Sequence, residues 1–141
     1  MSAENGAIRK RMTIILHSGS YDKVSNALSL AIVGLTMDME VYILLTYEAL
    51  RRFVKGHLED PDDTTPDLLV MMKKGIESGK FHSISEKLTM AEEMGLKLYA
   101  CNTAMATLGI VRENLVAEVD DIMGLTAFTE LAQNASINWY I

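Results

Sequence analysis

The stretch Met12-Thr-Ile-Ile-Leu-His17, followed by Ser18-Gly19-Ser20-Tyr21-Asp22, decides how the rest of the chain reads. The first six residues are almost all apolar and rich in β-branched side chains, the composition of a strand buried on both faces. The serine–glycine turn ends that strand. Asp22 is placed to cap a following helix, because its carboxylate can accept the unpaired N–H groups of a first turn. Val24, Leu28, Ala31, Ile32 and Leu35 then recur on one helical face.

The same alternation continues outward. Glu40 to Thr46, centred on Val41-Tyr-Ile-Leu-Leu45, reads as a second strand, with a short helix from Tyr47 to Val54. Gly56 to Pro66 holds both prolines and the acids Glu59, Asp60, Asp62 and Asp63, and is expected to form an exposed, mobile loop. Asp67 to Ser78 is helical and Gly79 closes it. Ser83-Ile-Ser-Glu86 is a capping box, in which serine and glutamate each satisfy a backbone N–H of the other. The helix it opens buries Ile84, Leu88 and Ala91 and ends at Gly95. Leu96 to Cys101 is a strand, Thr103 to Leu108 a short helix broken by Gly109, and Leu115 to Val119 a fourth strand. A helix over Leu125–Asn134 and a strand over Ser136–Ile141 complete the pattern. Strands alternating with helices specify an α/β fold with a mostly parallel sheet of about five strands and helices on both faces. Residues 1–11 read as a flexible N-terminal tail and 12–141 as a single domain.

Composition narrows the function classes. The chain has 141 residues, 49% of them hydrophobic and 23% charged, which is globular rather than disordered. A net charge of −6 offers no basic face to a phosphate backbone, so nucleic acid is disfavoured as a partner. The single cysteine excludes an intrachain disulfide, a two-cysteine redox pair and a thiolate zinc cluster, and suits a reducing compartment. No segment has the roughly 18 consecutive apolar residues of a membrane span, and no secretory cleavage pattern follows the basic N-terminus. A cytoplasmic protein is therefore expected. Phosphate-loop, dinucleotide and nucleophile-elbow motifs are absent, His17, His57 and His82 lack metal-ligand spacing, and the acidic loop does not match a calcium loop. Neither cofactor nor metal is expected.

Cys101 is the principal candidate. It stands at the carboxyl end of a predicted parallel strand, directly before a helix, where functional groups of open α/β sheets gather. The unpaired N–H groups of that helix favour thiolate over thiol, and would equally stabilise a persulfide anion. Asn102 and Thr103 can add side-chain donors or cap the helix. The plain alternative is a buried cysteine acting as a small hydrophobe. A second candidate is the Ser18-Gly19-Ser20 turn, which belongs on the same sheet edge and where a helix N-terminus can receive an anion. An ordinary strand-to-helix turn is the plain alternative there. The ten methionines fall largely at core spacing, with some available for an adaptable contact surface between subunits. Trp139 and Tyr140 are expected to pack on a helix or a neighbouring chain.

The stretch Ala91-Glu-Glu-Met-Gly-Leu-Lys-Leu-Tyr-Ala-Cys101-Asn-Thr-Ala-Met-Ala-Thr-Leu-Gly-Ile110 resembles the signature of DsrE/DsrF-like sulfur-carrier proteins, in particular the cytoplasmic subfamily often labelled peroxiredoxin-like. Gly95, Ala100, Cys101, Met105, Gly109 and Ile110 carry the resemblance, with Glu113, Leu115, Asp121, Gly124 and Glu130-Leu-Ala132 following it. Ser18-Gly19 and Asp22-Lys23 match the first turn. The acidic loop departs from the family's methionine-, lysine- and glycine-rich central segment, and Asp121 stands where the family often has glutamate. The resemblance implies a three-layer α/β/α domain assembling into trimers or hexamers. It also implies that Cys101 carries sulfane sulfur as a persulfide between a rhodanese-like donor and a TusA-like acceptor. No thioredoxin-type peroxidase motif surrounds Cys101. The rival readings are a non-catalytic oligomer that binds a small anion or nucleotide at the Ser18–Asp22 turn, with Cys101 structural, and an oligomer that organises partner proteins.

Overall fold

The computed structural model describes residues 9–62 and 65–141. Five strands, β1 (Arg11–Leu16), β2 (Glu40–Leu45), β3 (Lys97–Cys101), β4 (Asp121–Met123) and β5 (Ile137–Tyr140), form one sheet in the order β4-β3-β2-β1-β5. Every pairing is parallel. Six helices accompany them: α1 (Tyr21–Thr36), α2 (Tyr47–Arg52), α3 (Pro66–Glu77), α4 (Ile84–Glu93), α5 (Asn102–Leu108) and α6 (Leu125–Gln133). The chain steps from β1 to β4 in one direction, then returns past β1 to place β5 on the far edge. Right-handed crossovers put α1 and α4, which pack together, on one face of the sheet. The return crossover runs the other way, so α6, which packs against β1, covers the opposite face. This is the expected three-layer α/β/α arrangement.

The two sheet faces differ. Under α1 and α4, Met12, Ile14, Leu16, Val41, Ile43, Leu45, Leu98 and Ala100 are all buried. The other face carries Arg11, Thr13, Ile15 and His17 on the β1 side, Glu40, Tyr42, Leu44 and Thr46 on the β2 side, and Lys97, Tyr99 and Cys101 on β3. Its side chains meet each other: Arg11 bonds to Glu40 at 3.1 Å, its guanidinium lies over the Tyr42 ring, and Tyr42 stacks on Tyr99. Lys97, Asp121, Asn138 and Tyr140 remain exposed there. Parallel sheets normally have both faces covered, so this half-open face is unusual for the architecture.

Three local readings are corrected. The segment 115–119 is not a strand. Leu115 makes only an isolated antiparallel bridge to Val54, and the chain joins the sheet after Asp120, whose N–H donates to Leu98 O. Leu115 and Val119 are buried because that connection tucks inward, so apolar content there signalled burial rather than pairing. Asp22 does not cap α1: Ser20 is the N-cap residue and Asp22 lies inside the first turn. The cap is supplied from afar, since the Tyr21 N–H donates to Asp62 Oδ2 at 2.7 Å. The acidic loop is exposed but its acids are engaged, as described below; Asp63 lies outside the described residues. By contrast the Ser83–Glu86 capping box is present, and Gly79, Gly95 and Gly109 all take positive φ just past their helices.

Candidate functional site

Because all strands run the same way, their carboxyl ends form one edge. Cys101 ends β3 and is the N-cap of α5, with its residue only 1% exposed. Its partner across the β3–β4 ladder is Met123. Asn102 opens α5, and its Oδ1 accepts the Thr103 N–H at 2.9 Å. Asn102 is the first residue of α5 and not its N-cap, and its side chain lies beside Gly124, where a Cβ would stand 3.6 Å from Oδ1. Thr103 is exposed at the start of α5.

The Ser18-Gly19-Ser20 turn stands on the same edge, two strands away. Ser18 Oγ and Ser20 Oγ lie 3.1 Å apart, and the Ser20 N–H donates to Ser18 Oγ. Gly19 is required by close packing: a Cβ there would sit 2.5 Å from the backbone oxygen of Glu48. The Gly19 carbonyl accepts a 2.6 Å hydrogen bond from Arg52 Nε. The turn borders a cavity of about 800 Å³ that is also lined by His17, Lys23, Arg51 and Arg52, with Glu48, Asp60 and Asp62 among the opposing charges. Cys101 is not part of its lining. Two features limit it as an anion site. The first-turn N–H of α1 is already taken by Asp62, and the buried Arg52 is spent on Gly19 O, Leu58 O, Asp60 O and Asp62.

Sequence reasoning missed the role of the loop acids. Glu59 accepts from Tyr21 Oη at 2.6 Å and from both the N–H and the hydroxyl of Ser85 at the start of α4. With Asp62 on Tyr21 N–H, the loop ties the N-termini of α1 and α4 together. Burial pushes the Glu59 carboxyl up, but these hydrogen bonds outweigh it and hold it below its ordinary value. Tyr21 is pushed up to about 12, first by burial and then by the Glu59 carboxylate, so its hydroxyl stays a donor. Alternating acids and prolines gave no sign of these partners, which lie tens of residues away.

The second omission is Thr46. It follows β2 in register with Cys101, one step beyond the Leu45–Ala100 pair, and is 4% exposed. Thr46 Oγ1 lies 3.0 Å from Nδ1 of His17, whose ring stands between those of Tyr47 and Tyr140. Tyr47 holds a left-handed φ of +44, a strained position for a side-chain-bearing residue at this edge. His17 was visible in the sequence only as a histidine without metal spacing. Among the described residues no group of three or more His, Cys, Asp or Glu could hold a metal ion, and no helix is long and apolar enough to cross a membrane.

Known proteins place this arrangement. The solved structure of ychN protein from E. coli superposes with a TM-score of 0.64 at 14% identity, covering 95% of this chain and all of that one. That of MTH1491 from Methanobacterium thermoautotrophicum gives 0.61 at 12% identity, covering 94% and 97%. At these identities the likeness shows the fold alone. In sequence the chain is 30% identical to the uncharacterized protein YrkE of Bacillus subtilis (strain 168), over 94% of this chain and 97% of YrkE. Residues 10–138 match the DsrE/DsrF-like family, a range that covers all six helices, both candidate sites and the sheet except the end of β5, and the chain belongs to that family.

Proposed function

We propose that this protein is a sulfur-transfer protein that carries sulfane sulfur on Cys101, as a persulfide or thiosulfonate, in intracellular sulfur trafficking. The observation that carries this reading is the position of the chain's one cysteine, at the β3–α5 junction on the carboxyl edge of a DsrE/DsrF-like fold. The first-turn N–H groups of α5 lie beside the sulfur and favour an anion there, with Asn102 and Thr103 supporting the junction. Transfer is attack of the thiolate on an outer sulfur, the chemistry of thiol–disulfide exchange. A cysteine that is 1% exposed is shielded from stray thiols and oxidants, and hand-over then requires the α5 junction to open to a protein partner. A rhodanese-like donor and a TusA-like acceptor fit that scheme, and a cytoplasmic location fits the lone thiol.

The same reading includes a homo-oligomer, a trimer or hexamer. The half-open sheet face around Tyr42 and Tyr99 supports it, as do the exposed Met37, Met71 and Met94. A cavity beside Ser18, Gly19 and Ser20 favours the rival small-anion or nucleotide-binding role, but its balanced charges and the Asp62 carboxylate on the α1 terminus weigh against it.

Intact-protein mass spectrometry after exposure to thiosulfate with a rhodanese, to tetrathionate, or to polysulfide tests the proposal. A dithiothreitol-reversible gain of sulfur in the wild type, absent from Cys101→Ser, is the expected result. No adduct from any donor, on folded protein, overturns it and turns attention to the cavity.

A further inference from the structure

On the reading that Cys101 exchanges sulfur, we infer that Thr46, and through it His17 as a positioning residue, forms the proton path between that buried sulfur and solvent. Three strands supply the path. Tyr42, Leu44 and Thr46 share a face with Lys97, Tyr99 and Cys101, as the Tyr42–Tyr99 stack requires. Thr46 and Cys101 are therefore same-face neighbours on adjacent strands, which lie about 4.8 Å apart. Both are buried, so while the junction is closed a proton leaving the sulfur meets protein groups first. The Cys101 thiol has no hydrogen-bond partner among the described residues; Thr46 is the buried hydroxyl beside it. The path requires a χ1 rotation of Cys101, or the added S–S bond of about 2.05 Å in a persulfide, to bring sulfur and hydroxyl together.

On the other side, Thr46 Oγ1 meets His17 Nδ1 at 3.0 Å, with Leu16 O at 3.4 Å as its resting alternative. The imidazole is exposed and borders the cavity. Tyr140 from β5 and Tyr47 from α2 hold the ring by its faces and edge, which fixes Nδ1 toward Thr46. The charged and titratable groups sharing that cavity wall are Lys23 from α1, Glu48, Arg51 and Arg52 from α2, and His57, Asp60 and Asp62 from the loop that follows.

The step balances without a redox partner. The Cys101 thiol proton passes to Thr46 Oγ1 as the threonine proton passes to His17 Nδ1, leaving a thiolate and an imidazolium. The thiolate bonds to the outer sulfur of a donor persulfide. The donor's S–S bond breaks, and its thiolate leaves and takes up the proton that His17 releases to solvent. The net exchange is Cys101–SH plus R–S–SH giving Cys101–S–SH plus R–SH. Discharge to an acceptor thiolate runs the same steps in reverse.

Two rates test the path: alkylation of Cys101 by iodoacetamide across pH, and sulfur uptake from polysulfide read by intact mass. Thr46→Val keeps the shape and removes the hydroxyl, and is expected to slow alkylation at neutral pH about 100-fold, the lower end of what positioned proton transfer contributes. Thr46→Ser restores the rate. His17→Ala slows it similarly, and added imidazole restores it because the site is open to solvent. Wild-type rates in Thr46→Val overturn the inference, as does slowing that neither Thr46→Ser nor imidazole repairs, which marks a packing defect. The alkylation arm stands apart from the carrier reading. Rescue by serine with no sulfur uptake in the wild type retains the proton path and discards the carrier. Equal uptake and alkylation in wild type and Thr46→Val does the opposite.

Discussion

The two faces of the sheet use the same strands for different ends. Under α1 and α4 the side chains are apolar and closed from solvent, whereas the opposite face mixes Arg11, Glu40, Tyr42 and Tyr99 with the buried pair Thr46 and Cys101. Burial of apolar area stabilises by about 25 cal/mol per Å², so the first face holds the fold together. The second face adds polar and aromatic contacts around the buried Leu44 and the partly buried Ile15, and that is where the single thiol lies. Stability and chemistry are separated by one residue of strand register, since successive side chains point to opposite faces.

That separation can be broken in a graded way. The largest effect is expected on the closed face: Ile43→Ala and Leu98→Ala each lose about 2–5 kcal/mol in denaturant unfolding, because a large buried side chain leaves a cavity. A loss near zero would mean that this face is not the stabilising one. Gly19→Ala comes next. Its Cβ meets the Glu48 backbone, which cannot swing aside as a side chain can, so a loss of about 1–3 kcal/mol is expected together with displacement of α2. On the half-open face Tyr42→Ala is expected to lose about 0.5–1.5 kcal/mol for the stack on Tyr99 plus the share of its partly buried area within one chain. A larger loss that grows on dilution, with a smaller species by mass photometry, would identify the face as a subunit contact.

The smallest effects belong to the loop that ties α1 to α4. Asp62→Ala removes the acceptor from the α1 terminus and is expected to cost about 1 kcal/mol, the ordinary worth of an N-cap. Glu59 gives a pH signature. Its carboxyl lies below the ordinary 4.5 in the folded chain, so its stabilisation is present above that value and is lost as pH falls through the folded one. Glu59→Gln should therefore lower stability in the neutral region and flatten the acid limb below about pH 4.5, so that variant and wild type converge at low pH. An unchanged acid limb would show that the loop's bonds to Tyr21 and Ser85 do not hold in solution.

Much of this molecule was legible in local pattern. Apolar runs of strand length, the Ser83–Glu86 capping box and the glycines at 79, 95 and 109 located elements through forces that act within a few residues. The order of residues around Cys101 also put the thiol at a strand end before a helix. The fourth strand was misplaced because Leu115 and Val119 are apolar for burial in a connection, and hydrophobicity does not distinguish burial from pairing. The cap of α1 was misassigned because a local aspartate and a distant one look alike along the chain, and Asp62 won through the fold.

What the sequence by itself determined is the alternation of strands and helices and the place of the one thiol at a strand end, since both follow from side-chain type and near-neighbour spacing. What only the tertiary structure decided is register. Register sets Thr46 and, beyond it, His17 beside Cys101, leaves Tyr42 and Tyr99 stacked on a half-open face, and brings two loop carboxylates to helices begun elsewhere. Those neighbours meet through pairings across tens of residues, and no local preference encodes which strand lies beside which.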